Sequence, residues 1–451
     1  MPNPVTKVLV PAGALGIPYD RAALARGIDA NPDLIAIDGG STDSGPHYLG
    51  TGTSKYSRSA TKADWAELMV ARATAGVPLL IGTAGTCGTD SAVDWMLEIT
   101  LEIARERGER LKIATLKSGQ DKRGLCDALA HGNVTPLDGA PIVDAGIIQQ
   151  STNIVALAGI EQIQAALDTG ADIIIAGRAT DTAVIAALPV ARGCHPGGAW
   201  HGAKIAECGA LATTNPNSGV ILMSFDKTGF VIEPMAEDAA ATPHTVSAHM
   251  LYENADPFIL HEPGGYLDVS EARYTALDER MVRVEGSRWV STTPYTVKLE
   301  GARRVGYQTV SMVMVRDGHY RLHIEDWVAA LKACFAHKAA ARQLDDVMLE
   351  IRIIGHSATL GSLENAAGDG GEVGVMAIFT SPSQSRSTEA AKLLNPDLLH
   401  LPLTPHEPMP TFAFPFSPPE MERGELYEFC LHHVLSLDEP MSAFRLDVQE
   451  S

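Results

Sequence analysis

A chain of 451 residues is too long for one ordinary core and predicts two or three domains. Apolar residues at 45% and charged residues at 20% describe a globular protein, and a formal charge of −20 argues against nucleic acid as a partner. A small anionic substrate is still compatible with that charge, because a local Arg/Lys cluster overrides the global field.

Six scattered cysteines without a CxxC pair point to reduced thiols rather than a disulfide framework or structural zinc. No apolar run approaches the roughly 20 residues of a membrane span. The N-terminal MPNPVTKVLVPAG has too short an apolar core for a signal peptide. A cytoplasmic location is expected, with no membrane partner.

In chain order, Lys7–Val10 predicts a first strand, Asp20–Asp29 a helix capped by Asp20, and Leu34–Asp38 a second strand. The loop that follows, DGGSTDSGPHY, is rich in acids and hydroxyls. Asp38, Ser41, Asp43 and His47 are candidates there for proton transfer, substrate hydrogen bonding or a divalent metal such as Mg²⁺. Turn capping by the same Asp and Ser side chains is the competing reading. Lys55 and Arg58 precede a helix running to Arg72 and are candidates for a carboxylate or phosphate, or else solvated surface charges.

Val77–Ile81 reads as the third strand, and Gly82–Asp90 (GTAGTCGTD) as a glycine-rich turn before a long helix, Ser91–Arg107. Backbone N–H groups in such a turn can hold an anion, which makes Thr83 and Thr86 candidates. Its glycine spacing matches neither GxGxxG nor a P-loop, so neither NAD nor ATP is expected. Cys87 is a candidate nucleophile if the helix start lowers its pKa, and otherwise a small packing residue. Leu111–Leu116 gives a fourth strand, Gly124–His131 a short helix, and Ile142–Gln150 leads towards Ser151, with Gln150 a candidate substrate contact.

The wholly apolar run Ile173–Ala176 predicts a buried parallel strand. It delivers Arg178, Thr180 and Asp181 to its carboxyl end, where open α/β sheets place ligands. Glu207 and Cys208 follow in a segment of small residues. These alternations predict an α/β domain over 1–220, a mostly parallel sheet with helices on both faces.

GRATD at Gly177–Asp181 and HGAKIAECGA at His201–Ala210 resemble the acyclic terpene utilisation family. Supporting stretches are LYENADP, Thr296-Val297-Lys298, FAFPFSP and the closing HHVLSLDEPMSAFR. The resemblance covers nearly the whole chain and implies catabolism of carboxylic acids and their CoA thioesters beside a small companion subunit. The turns GTAGTCGTD and DGGSTDSGPHYLG depart from the family's usual segments, so a terpenoid substrate is not carried over.

Beyond residue 220 short strands dominate: Val220–Met223, Gly229–Glu233, Met281–Glu285 and Val310–Val315. A helix, Asp326–Ala341, and the strand Val347–Ile354 complete an expected α+β domain over 221–451. His261 in HEPGGYLD is a candidate acid or base, and Lys298 a candidate partly buried cation. His356–Thr359 and Gly368–Glu372 read as loops. The Pro-rich segment Pro402–Pro419 reads as an arm packing across a domain or a neighbouring subunit.

The expected function is a lyase or isomerase working by hydration, dehydration or proton transfer next to a carbonyl, on a small carboxylic acid or its CoA thioester. Arg178, Lys55 and Arg58 would hold the carboxylate; Asp38, Asp43, Asp181, Glu207 or His261 would move protons. The alternatives are Cys87 or Cys208 acting with His261 in acyl transfer, and a non-catalytic subunit completed by its companion. A homo-oligomer is expected.

Overall fold

The structure is a computed structural model, described here for residues 5–358, 360–363 and 371–451. Thr359 and Gly368–Gly370, in loops anticipated from the sequence, lie outside the described residues. Two compact units divide the chain: Met1–Arg303 with Phe429–Ser451, and Arg304–Glu428.

The first unit is built on a ten-stranded sheet. Its centre is parallel, in the spatial order Thr6–Val10, Leu34–Asp38, Leu79–Gly82, Ile173–Ala176, Lys112–Lys117. Alternate side chains enter two cores. Val8, Val10, Leu34, Leu80 and Ile174 face one side, and Leu9, Ile35, Ile37, Ile81 and Ile175 the other. Burial on both faces is why these strands read as continuous apolar runs. Helices Asp181–Ala191 and Pro196–Ala206 cover the first face, while Arg58–Ala75 and Asp90–Arg107 cover the second.

Antiparallel strands extend both edges. Arg445–Glu450 pairs with Lys112–Lys117, and Ile221–Phe225 pairs with Thr6–Val10, followed outward by Gly229–Pro234, Val282–Glu285 and Arg273–Ala276. The first compact unit therefore does not end near residue 220. The strands after it continue the same sheet, and their hydrogen bonds tie them to the N-terminal strand. A separate antiparallel sheet joins Ile259–Glu262, Gly265–Asp268 and Arg288–Ser291. Ser151–Ala156 pairs with the Leu299–Arg303 part of a long strand, Tyr295–Val315.

In the second unit, residues 307–315 of that strand pair with Val373–Ser381, which pairs with Met348–Ile354. Helices Ile324–Ala341 and Gln384–His400 close a core containing Trp327, Leu331, Phe335, Phe379 and Leu394. The Pro-rich segment packs within its own unit: Phe412 stands edge-on to Tyr320 and Trp327 at 5.1 Å. Among the described residues no helix is long and apolar enough to cross a membrane.

Candidate active site

The carboxyl ends of the parallel strands lead into three turns, 38–41, 82–90 and 177–181, that interlock through glycine. A Cβ on Gly88 would stand 2.2 Å from the Arg178 nitrogen, and one on Gly39 would stand 2.6 Å from the Thr83 carbonyl oxygen. Gly88 has φ +63°, so both space and backbone conformation require glycine there. Thr83 (φ 44°) and Thr86 (φ 86°) occupy the left-handed region despite β-branching, a strain of about 1–3 kcal/mol each. Their hydroxyls hold them there. Thr83 Oγ1 donates to the Ala179 carbonyl (3.2 Å), and Thr86 Oγ1 accepts from the Lys55 backbone N–H (3.0 Å).

These turns wall a cavity of about 550 Å³ lined by Asp38, Ser41, Asp43, Lys55, Asp181 and Cys208, with Tyr56, Leu211, Tyr252 and Glu253 among the rest. Asp38, the last residue of its strand, is 7% exposed. Its Oδ2 accepts from the Gly40 N–H at 3.1 Å, whereas its buried Oδ1 has no hydrogen-bond partner. Burial, with Asp181 beside it, pushes the Asp38 carboxyl well above the usual range, against the pull of Arg178. Burial likewise raises Asp181, while Arg178 and Lys204 counteract.

Arg178 is fully engaged. Its Nε donates to Glu300 Oε2 (2.9 Å) and its Nη2 to Glu300 Oε1 (3.4 Å), while Nη1 reaches Thr83 Oγ1 (3.3 Å) and the Ala179 carbonyl (3.5 Å). Lys298 Nζ donates to the same Glu300 at 2.9 Å. The guanidinium expected to grip a substrate carboxylate instead locks the strained turn.

Behind Asp181, Lys204 pairs with Glu207 one helical turn along the same segment. Burial pushes Glu207 up to about 8 and Glu262 up to about 7. Glu262 accepts from Thr182 Oγ1 at 2.5 Å and leaves its buried Oε2 without a partner.

Asp38, Ser41, Asp43, Lys55 and Asp181 thus come together at the cavity, with Thr83, Thr86, Cys87, Arg178 and Glu207 in supporting positions. Thr180 caps the Asp181–Ala191 helix, accepting from the Ala183 N–H. Four candidates stand elsewhere. His47 is exposed, edge-on to Tyr48; Arg58 pairs with Glu102; Gln150 accepts from Arg303; and exposed His261 lies on a hairpin beside Tyr266. Cys87 is not activated by a helix start: burial pushes its thiol up to about 12, and the Cys208 thiol is pushed up further. Among the described residues no group of three or more His, Cys, Asp or Glu is arranged to hold a metal ion.

The sequence pattern of the family described as acyclic terpene utilisation family protein AtuA matches residues 54–396. The chain belongs to that family. The family's match includes Lys55, the GRATD turn, Lys204, Glu207 and Glu253. Asp38, Ser41 and Asp43 precede it, and the FAFPFSP and HHVLSLDEPMSAFR stretches follow it. No curated protein and no solved structure matches this member of the acyclic terpene utilisation family.

Sequence reasoning missed Lys204, Glu253, Glu262 and Glu300. Lys204 carried a local signal, lying three residues before Glu207 on one helix face. Glu253 stands in the LYENADP stretch and Glu262 in HEPGGYLD, where nothing local marks the acid itself, and Glu300 is brought to Arg178 by long-range packing.

Proposed function

We propose that the chain is a lyase or isomerase that moves a proton next to a carbonyl on a small carboxylic acid, by proton transfer, hydration or dehydration. Asp38 and Asp181 are its acid–base pair, and Lys55 holds the carboxylate. One observation carries this reading: the carboxyl of Asp38, buried at a strand end and with one oxygen unpartnered, lines a cavity that Asp181 also lines. Two acids in a shared low-dielectric site resist simultaneous ionisation, so one holds its proton above the ordinary aspartate range and can give or take it. Such a pairing contributes about 10²–10⁴-fold to a proton-transfer step.

Other features support the same reading. The Thr83 and Thr86 strain is held by Arg178 and by the Lys55 backbone, as expected where a turn must be fixed for chemistry. The raised thiols make Cys87 and Cys208 poor nucleophiles, which disfavours acyl transfer. Among the described residues Lys55 is the one cation of the cavity lining, a poor complement to the phosphates of a CoA thioester, so the free acid is favoured.

The test is hydrogen exchange in D₂O. Small carboxylic acids are incubated with the protein, and loss of the proton next to the carboxyl is followed by NMR. Asp38→Asn and Asp181→Asn should each slow exchange at least about 100-fold while remaining folded. Unchanged exchange in both variants would remove the assignment. An acid that binds without exchanging would support a ligand-binding subunit instead.

A further inference from the structure

The cavity mouth carries charges of both signs that do not pair with one another. Lys55 Nζ donates to Ser44 Oγ at 3.2 Å, lies 5.1 Å from the Tyr56 ring centre, and makes no ion pair among the described residues. Asp43 and Glu253, both exposed and both lining the cavity, also make none among them. Asp43 Oδ2 accepts only a neutral hydrogen bond, from Ser41 Oγ at 2.9 Å. Glu253 has φ 56°, a conformation that a non-glycine residue rarely adopts. Asp38, which also lines the cavity, has a buried Oδ1 without a hydrogen-bond partner.

Lys55 alone would attract a simple carboxylate, but Asp43 and Glu253 would repel it. A cation alone would meet Lys55. A ligand that carries both a carboxylate and an ammonium group offers a partner to the exposed charges of either sign.

We propose that the substrate is a zwitterionic amino acid, its carboxylate on Lys55 and its ammonium between Asp43 and Glu253. This deepens the proton-transfer reading and rests on it for the chemistry, though not for the binding.

The test is binding of the twenty proteinogenic amino acids and β-alanine by thermal shift and calorimetry. Each is compared with its N-acetyl derivative, its methyl ester and the corresponding hydroxy acid. At least one free amino acid should bind, with both blocked derivatives weaker by about tenfold or more. Lys55→Met should weaken the amino acid by a similar factor. Asp43→Asn/Glu253→Gln should bind the hydroxy acid as well as the amino acid. Wild-type protein that binds the hydroxy acid or the N-acetyl compound as tightly as the amino acid, or that binds no amino acid, would overturn the assignment. An amino acid that binds but keeps its Cα–H in D₂O leaves the zwitterion site standing and removes the proton-transfer reading. A hydroxy acid that binds best and exchanges does the reverse.

Discussion

Arg178→Met should destabilise the first unit by about 3 kcal/mol, through loss of a buried ion pair. In that pair the Arg178 side chain is 9% exposed and the Glu300 side chain 7%. Removing one partner of such a pair typically costs about 3–5 kcal/mol, because the other charge remains buried. Lys298 keeps one contact to Glu300 and is itself 36% exposed, which places the cost at the lower end. Linkage gives a similar size. Arg178 and Lys298 hold the Glu300 carboxyl down to about 2 from its ordinary 4.5, equivalent to about 3 kcal/mol. Because this pKa is lowered on folding, the stabilisation is complete above pH 4.5 and is lost as pH falls towards 2.

The assay is urea unfolding followed by circular dichroism at pH 7 and at steps down to pH 3, for wild type, Arg178→Met, Glu300→Leu and the double variant. The double variant should recover most of the single variant's loss, since it leaves no buried unpaired charge. A loss below about 1 kcal/mol for Arg178→Met at pH 7, or single-variant effects that simply add, would refute the reasoning.

Four further outcomes are expected. Gly88→Ala should cost roughly 3 kcal/mol or more in the same unfolding assay, since its Cβ would meet the Arg178 backbone and its φ is positive; a near-neutral variant would mean the turns are not interlocked. Glu207 has a raised pKa, about 8 against the ordinary 4.5, so its favourable contribution is full below pH 4.5 and is lost as pH rises through 8. Glu207→Gln should therefore flatten the stability profile between pH 5 and 8, and parallel profiles would count against it. Asp38→Asn should raise the thermal midpoint at pH 8 while abolishing exchange, the trade expected of an uncompensated buried acid; a lowered midpoint would show Asp38 to be structural. Cys87→Ser/Cys208→Ser should keep exchange activity, and its loss would revive a thiol mechanism.

The central strands were legible because burial on both faces writes itself as uninterrupted Val, Leu and Ile: Ile173–Ala176 has the bounds its composition predicts. Helix starts were legible where Asp20 caps. The extent of the first unit was not. Ile221–Phe225 pairs with a strand more than 200 residues earlier, and short alternating strands look alike whether they extend an old sheet or begin a new one.

The site shows the same limit. Asp38, Lys55 and Asp181 follow strand ends or precede a helix, positions that local pattern marks. Arg178 stood at such a position too, and only the long-range placement of Glu300 shows that its charge is already matched. His261 fell away for the converse reason: its loop reads as functional, but its strand pairing holds it on an exposed hairpin.

Acid–base chemistry at this site depends most directly on the protonation of Asp38. Carboxyl ¹³C NMR of aspartate-labelled protein, compared with Asp38→Asn, follows it through a pH titration. The predicted result is that the resonance missing from the variant titrates well above the ordinary aspartate range, and that the Asp181 titration shifts downward when Asp38 is replaced. An Asp38 resonance that titrates near 3.8, indifferent to Asp181, would contradict the account.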